Sequence, residues 1–299
     1  MISKPGFYEM TAAEYHTDPC ESPSLSSSVA WAIEPSNMSA GSPKHGQMMH
    51  PKLGGSGKQS TDAMRFGSIC HAMMLGTGDA EFSLSPYDDY KTKVAREWRD
   101  AQIAAGKMPV KQPEMDAAKE CVTAWSEQLK AFGLGEVIYK SRKECVIAWE
   151  DWGSIGKVWC RAMLDIFCDE TGDIWDIKTT SSAHPKKVAR KIVDEGLALR
   201  SEFYKRGVET LLPELKGRTK FGFLFCQTEA PYLVTPVLQL DGRFRFIGKA
   251  QVQRSIDTFA QCLKTNSWPG YVTAPIQSME APTWAFKEEI EESENDDAK

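Results

Sequence analysis

The stretch that decides the fold is VWCRAMLDIFCDETGDIWDIKTT, residues 158–180. Its first part, Val158–Phe167, is an apolar run whose side chains alternate between two faces, which predicts a β-strand. The turn residues Glu170-Thr171-Gly172 follow, and Asp173–Thr179 is predicted to be the next strand. The two strands are predicted to be neighbours in one sheet.

The flanking sequence predicts further strands, with helices on both sides of the sheet. Cys145–Trp149 has the period-two pattern of a hairpin partner for Val158–Phe167, with the turn Asp151-Trp152-Gly153-Ser154 between them. Periodicity predicts helices at about 63–76 (with Asp62 as N-cap), 91–105, 114–132, from 185, 197–212 and 244–264, and a strand pair at 221–227 and 232–240. This order predicts an α/β fold, a small mixed sheet flanked by helices, with a helical N-terminal half.

Composition predicts three regions along the chain. Residues 1–60 are predicted to be a lead-in with a mobile loop from about 34 to 60, where Pro, Gly, Ser, Met and Lys dominate. Residues 61–275 form the predicted main domain, and residues 276–299 a disordered acidic tail. The segment Glu288–Lys299 has a net charge of −6, which leaves about +1 of the total of −5 on the other 287 residues. A near-neutral body with basic patches is compatible with nucleic-acid binding.

The remaining composition argues against several classes of protein. A hydrophobic fraction of 41% and a charged fraction of 26% are typical of a soluble globular protein. No run approaches the roughly 20 apolar residues of a membrane span, and Met1–Gly6 lacks the apolar core of a secretory signal, so a cytosolic protein is predicted. No two of the eight cysteines are spaced as Cys-x-x-Cys, which predicts free thiols and argues against an iron–sulfur cluster.

Two carboxylates and an ammonium group are predicted to meet on the two strands of the opening stretch. Asp165 ends a strongly apolar strand, where a bare carboxylate is costly unless another group compensates it. Strict alternation places Phe167 on the face of Asp165 and Ile166 on the other face. Asp176 and Lys178 are two residues apart on the next strand and therefore share a face.

These side chains fit the metal-assisted hydrolysis of a phosphodiester. Carboxylate oxygens suit Mg²⁺, which lowers the pKa of a bound water and neutralises charge on the phosphate. A nearby lysine orients the attacking water and stabilises the transition state. Removing one of two like charges is expected to relieve repulsion in the metal-free protein. The simpler interpretation of Asp176-x-Lys178, a buried ion pair on a sheet, is disfavoured by the apolar strand that ends in Asp165.

The pattern Asp165…Asp176-Ile177-Lys178-Thr179-Thr180 resembles the core of the PD-(D/E)xK nuclease superfamily. The RecB-like branch of that superfamily also has a Gly-xxx-His helix upstream, and this chain has Gly67-Ser68-Ile69-Cys70-His71. On a helix, Gly67 and His71 lie one above the other. The glycine would let the sheet approach closely, and the resemblance assigns the His71 imidazole to the metal.

Further segments are similar to the exonuclease VIII (RecE-type) enzymes of prophages and phages. They are Met10–His16, Ser24–Ser28, Gly67–Gly76 and Trp268–Tyr271, and together they cover most of residues 7–272. The resemblance implies a 5′→3′ exonuclease, with its nuclease domain at 61–275, that acts on double-stranded DNA ends in the bacterial cytoplasm. It further implies 3′ single-stranded products for phage-type recombination, a RecT-type annealing protein as partner, and a ring-like homo-oligomer.

The family pattern also implies which groups form the site. Lys178 would assist the nucleophilic water, beside the two catalytic carboxylates. Glu144, at the start of the first strand, is either an outer carboxylate of the site or a solvated strand end. Mg²⁺, for which Mn²⁺ can substitute, would be bound by His71, Asp165, Asp176 and the carbonyl of Ile177.

Basic residues that follow the second catalytic strand are candidates for DNA binding. RecB-like enzymes usually carry Gln-xxx-Tyr on the next helix, whereas this chain has Arg200 and Tyr204. Arg accepts no hydrogen bond but can hold a phosphate with two donors. Arg200 is therefore predicted to bind a phosphate next to the scissile one, with Tyr204 packed beside it. Four earlier cations either hold the phosphate backbone or form a merely solvated face: Lys186, Lys187, Arg190 and Lys191.

Three alternatives stay open on the sequence. A structure-specific or single-strand nuclease of the same superfamily, such as the Cas4-like group, would typically carry an iron–sulfur cysteine set, which this chain lacks. A catalytically silent DNA-binding protein with the same fold would be expected to lose one of Asp165, Asp176 and Lys178. A small-molecule hydrolase without DNA contacts is the least favoured.

Overall fold

A long hairpin is the centre of the computed structural model, which describes residues 1–55, 62–77, 82–271 and 282–283. Its strands, β5 (Arg142–Gly153) and β6 (Gly156–Phe167), pair over almost their full length. The other strands are β1 (Gly6–Tyr8), β2 (Ser24–Ser26), β3 (Phe82–Leu84), β4 (Met108–Val110), β7 (Ile174–Thr180), β8 (Phe221–Gln227) and β9 (Val234–Val237). The helices are α1 (Ala12–His16), α2 (Ser27–Ile33), α3 (Pro43–Met49), α4 (Asp62–Leu75), α5 (Lys93–Ala104), α6 (Gln112–Ala131), α7 (Gly135–Lys140), α8 (Pro185–Asp194), α9 (Leu197–Leu211) and α10 (Gly242–Thr265).

The strands form one mixed sheet in the order β1-β5-β6-β7-β8-β9, with β2 added to β6. Neighbouring strands are antiparallel except β7–β8 and β2–β6, which are parallel. β3 and β4 pair separately. The predicted α/β fold, a small mixed sheet flanked by helices, is therefore confirmed.

Two apolar cores, one on each face of the sheet, hold the helices in place. The larger core packs α2, α9 and α10 on the sheet and contains the fully buried Trp149 and Phe203, whose ring centroids are 4.9 Å apart. The smaller core packs α4 and α6 on the other face around Trp125. Burying a side chain of the size of Phe contributes roughly 1.5–3 kcal/mol. The two cores therefore fix α4 and α9 on opposite faces of β7.

The predicted alternation of side chains fails at the end of β6. Phe167 belongs to the larger core and Ile166 to the smaller one, the reverse of the strict alternation. The registered pairs of the hairpin leave out Glu144 and Asp165, and Glu144 has a left-handed φ of 49°. This local irregularity breaks the pleat, so the side chains that follow change faces.

The N-terminal segment belongs to the same sheet, because β2 lies along β6. A buried cluster of polar side chains joins the two strands. The Asp18 carboxylate accepts hydrogen bonds from the Ser24 hydroxyl (2.6 Å) and backbone N–H (2.9 Å), and it lies 3.1 Å from both His50 Nε2 and Arg161 Nη1. Since an unpaired charge is costly in such surroundings, each member of the cluster depends on the others.

The stretch from 34 to 60, predicted to be a mobile loop, contains α3 and a 3-10 helix at Pro51–Leu53. α3 packs on α2 through Gly46, where a Cβ would lie 2.4 Å from Ile33 Cγ1. The structure differs from the prediction because Pro43 begins a helix and Gly46 serves close packing, although both residue types also favour loops. Three of the predicted features lie outside what the structure describes. They are residues 56–61 of the predicted loop, the side chain of the predicted cap Asp62, and the acidic tail at 276–299 apart from 282–283.

The eight cysteines are all free, as predicted, and seven are buried. Burial is the main cause that raises the pKa of Cys70 to about 12, so this thiol stays uncharged at neutral pH. No helix in the described part of the chain is long and apolar enough to cross a membrane.

Candidate active site

The first predicted carboxylate lies where β6 and β7 separate. The two strands share registered pairs at Ile166 and Phe167 of β6. Next to these pairs, a side chain links the two strands. Asp165 Oδ2 accepts a hydrogen bond of 2.8 Å from the backbone N–H of Ile177 on β7. Asp165 therefore occupies the fork between the strands, with its position fixed by the strand that carries the second carboxylate.

His71 reaches the same carboxylate from α4. Its Nε2 lies 3.0 Å from Asp165 Oδ2. The helix can come this close because Gly67, one turn before His71, has no side chain. A Cβ at Gly67 would lie 2.5 Å from Thr179 Oγ1 on β7. This packing agrees with the expectation that the glycine permits a close approach of helix and sheet.

Asp176 is the centre of a second group of charges. It is 1% exposed, its Oδ2 contacts the Lys178 ammonium, and its Oδ1 accepts a hydrogen bond of 3.2 Å from Arg200 Nη1. The Arg200 guanidinium lies 5.6 Å from the centroid of the Tyr204 ring and donates a hydrogen bond of 3.3 Å to the Tyr204 hydroxyl. Two cations thus compensate a carboxylate that is removed from water.

The charges at the site shift the ionisation of its groups. Burial alone would raise the pKa of Asp165, but His71, Lys178 and the N–H of Ile177 together lower it to about 2. Burial opposes the protonation of His71, yet Asp165 outweighs this effect, so the pKa of His71 is raised. Burial is also the main cause of the raised pKa of Tyr204. At neutral pH the site therefore holds a charged Asp165 and an uncharged Tyr204.

The donor atoms at the fork suit a hard divalent cation. Asp176 Oδ2 is buried and contacts the Lys178 ammonium group, and a cation bound here would share this oxygen with it. The Ile177 carbonyl oxygen borders the same space, 3.5 Å from Lys178 Nζ. Among the described residues, no three His, Cys, Asp or Glu side chains converge as they would around a metal ion. A cation bound here would take over part of the compensation that Lys178 and Arg200 now give Asp176.

A cleft of about 620 Å³ opens from Lys178 and Arg200 towards α2. The side chain of Arg200, 26% exposed, faces this cleft while it pairs with Asp176. The cleft is also lined by residues of α2 that the sequence analysis left without a role: Ser27, Ser28 and Trp31. The Ser27 hydroxyl lies 3.5 Å from that of Tyr204. The serine-rich segment of β2 and α2 is visible in the sequence, but its pattern does not predict that these residues lie beside the catalytic strand.

The predicted basic helix α8 lies beside the cleft, and its four cations are not equivalent. Lys191 lines the cleft with Lys178 and pairs with Glu195 at 2.6 Å. Lys187 and Arg190 line an adjoining groove of about 230 Å³ at the end of β7. Lys186 is exposed on the first turn, outside both concavities. The structure therefore brings Lys191 to the candidate site, with the other three cations farther out.

Glu144, the candidate outer carboxylate, is half-buried and stands opposite Asp165 in the register of the hairpin. It thus lies beside the fork, on the strand that flanks β6. Its left-handed φ of 49° is uncommon for a residue other than glycine. The sequence could place Glu144 at the start of a strand, but not in this backbone conformation.

Comparison with one solved structure shows the same fold. A crystal structure of a candidate exonuclease from Eubacterium rectale aligns with a TM-score of 0.61 at 12% identity, over 92% of this chain and 96% of that chain. The structure of SSO0001 aligns with a TM-score of 0.28 at 12% identity, over 65% of this chain and 86% of that chain, which is too low for a fold comparison. No curated protein sequence matches the chain.

The family described as a PDDEXK-like domain of unknown function (DUF3799) matches residues 40–278. This match covers most of the chain, including every residue of the fork. The resemblance to the PD-(D/E)xK nuclease superfamily is thereby confirmed, while the RecE-type assignment stays a prediction. The chain belongs to this PDDEXK-like family.

Proposed function

We propose that this chain is a Mg²⁺-dependent 5′→3′ exodeoxyribonuclease that acts on double-stranded DNA ends and leaves 3′ single strands for phage-type recombination. The observation that carries the proposal is the fork of β6 and β7, where Asp165 and Asp176 meet His71 and Lys178. Membership of a PDDEXK-like family supports nuclease chemistry. The direction, the preference for duplex ends and the recombination role are supported by the RecE-type resemblance.

The residues of the site would divide the work of hydrolysis. His71, Asp165, Asp176 and the Ile177 carbonyl would hold Mg²⁺, which when bound supplies charge neutralisation at the phosphate and a water of lowered pKa. Lys178 is held by a buried carboxylate, so its ammonium group is fixed in position. A fixed ammonium can orient the attacking water and stabilise the charge that develops on the phosphate without reorganising.

The cations around the cleft would bind the DNA backbone. Arg200 would exchange its hydrogen bond to Asp176 for one to a phosphate next to the scissile group, while Tyr204 keeps its guanidinium in place. Lys191 would contact the same DNA strand, and the groove beside Lys191 would extend the DNA-binding surface. The groove cations and the exposed Lys186 complete the proposed DNA-binding set: Lys186, Lys187 and Arg190.

The decisive experiment follows linear duplex DNA labelled at either 5′ or 3′ ends, alongside covalently closed circles. With Mg²⁺ or Mn²⁺ we expect release of label from 5′ ends as small products, retention of the 3′ label on longer strands, and intact circles. EDTA should stop the reaction. Efficient cutting of closed circles would indicate an endonuclease instead, and loss of 3′ label first would reverse the proposed direction.

The proposed assembly and partner have their own tests. We propose that the protein forms a ring-like homo-oligomer in the bacterial cytoplasm and passes its 3′ strands to a RecT-type annealing protein. Light scattering at working concentration should give a mass of several chains of 33.4 kDa. A monomer would remove the ring from the proposal without affecting the chemistry at the fork.

A further inference from the structure

A second cavity, of about 690 Å³, lies between α9, the first half of α10, the 3-10 helix at Pro213–Leu215 and the Asp151 end of β5. Arg200 and Tyr204 lie on the side of α9 that faces the sheet, whereas Lys205 and its neighbours face this cavity. The cavity is therefore separate from the candidate active site.

Two inner ion pairs form the floor of this cavity. Glu202 and Lys205 are 5% and 6% exposed, and Lys205 Nζ lies 3.0 Å from Glu202 Oε1. Asp151, also buried, accepts hydrogen bonds from Arg206 Nη2 at 2.6 Å and from Trp149 Nε1 at 3.1 Å. Both buried carboxylates are thus compensated from within the protein.

The wall of the cavity carries positive charge that lacks such compensation. Lys216 and Lys249 form no ion pair within the described part of the chain. Arg245 approaches Glu202 at 3.6 Å, but its Nε is buried and donates no hydrogen bond. Five cationic side chains and three carboxylates line the cavity, which gives the lining a net charge of +2. A polar concavity with spare donors and excess positive charge suits an anion.

We propose that this cavity binds a phosphate group. Ammonium and guanidinium groups are the side chains that proteins use for phosphate oxygens, and two lysines with an arginine converge here. The neutral part of the described lining, which includes Thr210, Pro213 and Val252, has no aromatic side chain on which a base could stack. The recognised group is therefore the phosphate itself.

That phosphate has two conceivable sources, a DNA backbone that continues past the catalytic cleft or a free phosphate compound. Arg200 and Arg206 are about 9 Å apart along the axis of α9, at about 1.5 Å per residue. Because Arg200 faces the sheet and the cavity lies on another side of the helix, a DNA strand would have to pass around α9 to reach both concavities. The inference does not depend on nuclease activity, since either source can be tested without cleavage.

The test compares three double variants of the full chain with the wild type. Lys216→Gln/Lys249→Gln removes the two exposed cations of the cavity, and K216R/K249R keeps their charge. Lys220→Gln/Lys264→Gln is the matched control, because both of its lysines are exposed and lie outside the cavity. The probes are inorganic phosphate, measured by thermal unfolding against sodium chloride of equal ionic strength, and a short duplex in EDTA, measured by binding over a salt series.

We expect inorganic phosphate to raise the midpoint of thermal unfolding for the wild type, K216R/K249R and the control, and to lose this effect in K216Q/K249Q. If DNA is the source, the slope of log affinity against log salt should also fall by about 1–2 in K216Q/K249Q relative to the control, since each phosphate contact contributes about 0.9. An unchanged DNA slope with a lost phosphate effect would assign the site to a free phosphate compound. If K216Q/K249Q matches the control with both probes, the proposal is overturned.

Discussion

Gly67 and Thr179 pack so closely that a Cβ on the glycine would lie 2.5 Å from the threonine hydroxyl oxygen. This contact sets the distance between α4 and β7, and with it the distance between His71 and Asp165. We therefore predict that Gly67→Ala lowers Mg²⁺-dependent DNA hydrolysis at least tenfold. Alanine is the better helix former by about 1 kcal/mol, so a loss cannot come from helix propensity.

A second substitution tests this explanation. Thr179→Ala removes the clashing oxygen and leaves the backbone of β7 in place, so G67A/T179A should regain most of the activity that G67A loses. Activity of both proteins would be measured on linear duplex DNA, with T179A alone as the reference. Equal loss in G67A and G67A/T179A would show that the close approach does not position His71.

Substituting the predicted catalytic residues tests activity and stability separately. Asp165→Ala, Asp176→Ala and Lys178→Ala should each abolish hydrolysis. The sequence suggested that removing one carboxylate would relieve repulsion, but the structure pairs Asp176 with Lys178 and Arg200. We therefore expect D176A to lose about 3 kcal/mol of unfolding free energy, as when one partner of a buried ion pair is removed.

Asp88→Asn is the charge-matched control for the two aspartate variants, because Asp88 is exposed and far from the fork along the chain. It should retain wild-type hydrolysis and urea unfolding. Near-wild-type cleavage by any of the three site variants would mean that the site is wrongly assigned. A D176A protein more stable than the wild type would show that repulsion between the two carboxylates outweighs the pairing of Asp176 with Lys178 and Arg200.

Arg200→Gln tests the proposed phosphate contact. Glutamine keeps hydrogen-bonding capacity but removes a permanent cation, so we expect weaker DNA binding, a salt slope reduced by about 1, and residual cleavage. Binding would be measured in EDTA, with the exposed Arg218→Gln as control. An unchanged slope would mean that Arg200 pairs with Asp176 but does not contact a DNA phosphate.

The Asp18 cluster predicts a pH dependence of stability. Burial would raise the pKa of Asp18, but His50, Arg161 and Ser24 outweigh this effect and lower it. The unfolded chain, with an ordinary pKa of about 3.9, therefore takes up this proton first as the pH falls. The stability that the carboxylate contributes should be complete above about pH 4 and should decline as the pH drops below that.

Urea unfolding of the wild type and Asp18→Asn would check this prediction. The difference in unfolding free energy should be about 3 kcal/mol at pH 5 and should shrink towards pH 3. D88N again serves as control and should show no difference at either pH. A difference that grew on acidification would mean that the sign of the pKa shift is wrong.

The sequence was informative where elements are long and apolar. The second hairpin strand, β7 and the long α10 were predicted within a few residues, because each has one clear periodicity and a recognisable end. Asp165, Asp176 and Lys178 could be placed on neighbouring strands for the same reason. Two residues of spacing on a strand are enough to assign a shared face.

The sequence was uninformative where three-residue strands and long-range contacts decide the structure. β1 and β2 are too short to show a period, and their places depend on β5 and β6. The pairing of Asp18 with Arg161 has no local signal. The exchanged faces of Ile166 and Phe167 follow from the backbone at Glu144, which side-chain pattern alone does not reveal. The pairing of Arg200 with Asp176 could not be predicted either, because it depends on how α9 packs across β7.

The pairing of β2 with β6 also has a consequence for synthesis. Ser24 receives its hydrogen bond from Arg161, 137 residues later in the chain. At about 5–20 residues per second on the ribosome, Ser24 and its neighbours wait roughly 7–27 seconds before β6 exists. During that interval the polar cluster around Asp18 lacks the Arg161 guanidinium. β2 can therefore join the sheet only after the central hairpin has been synthesised, so the N-terminal segment, although made first, cannot be the part of the sheet that forms first.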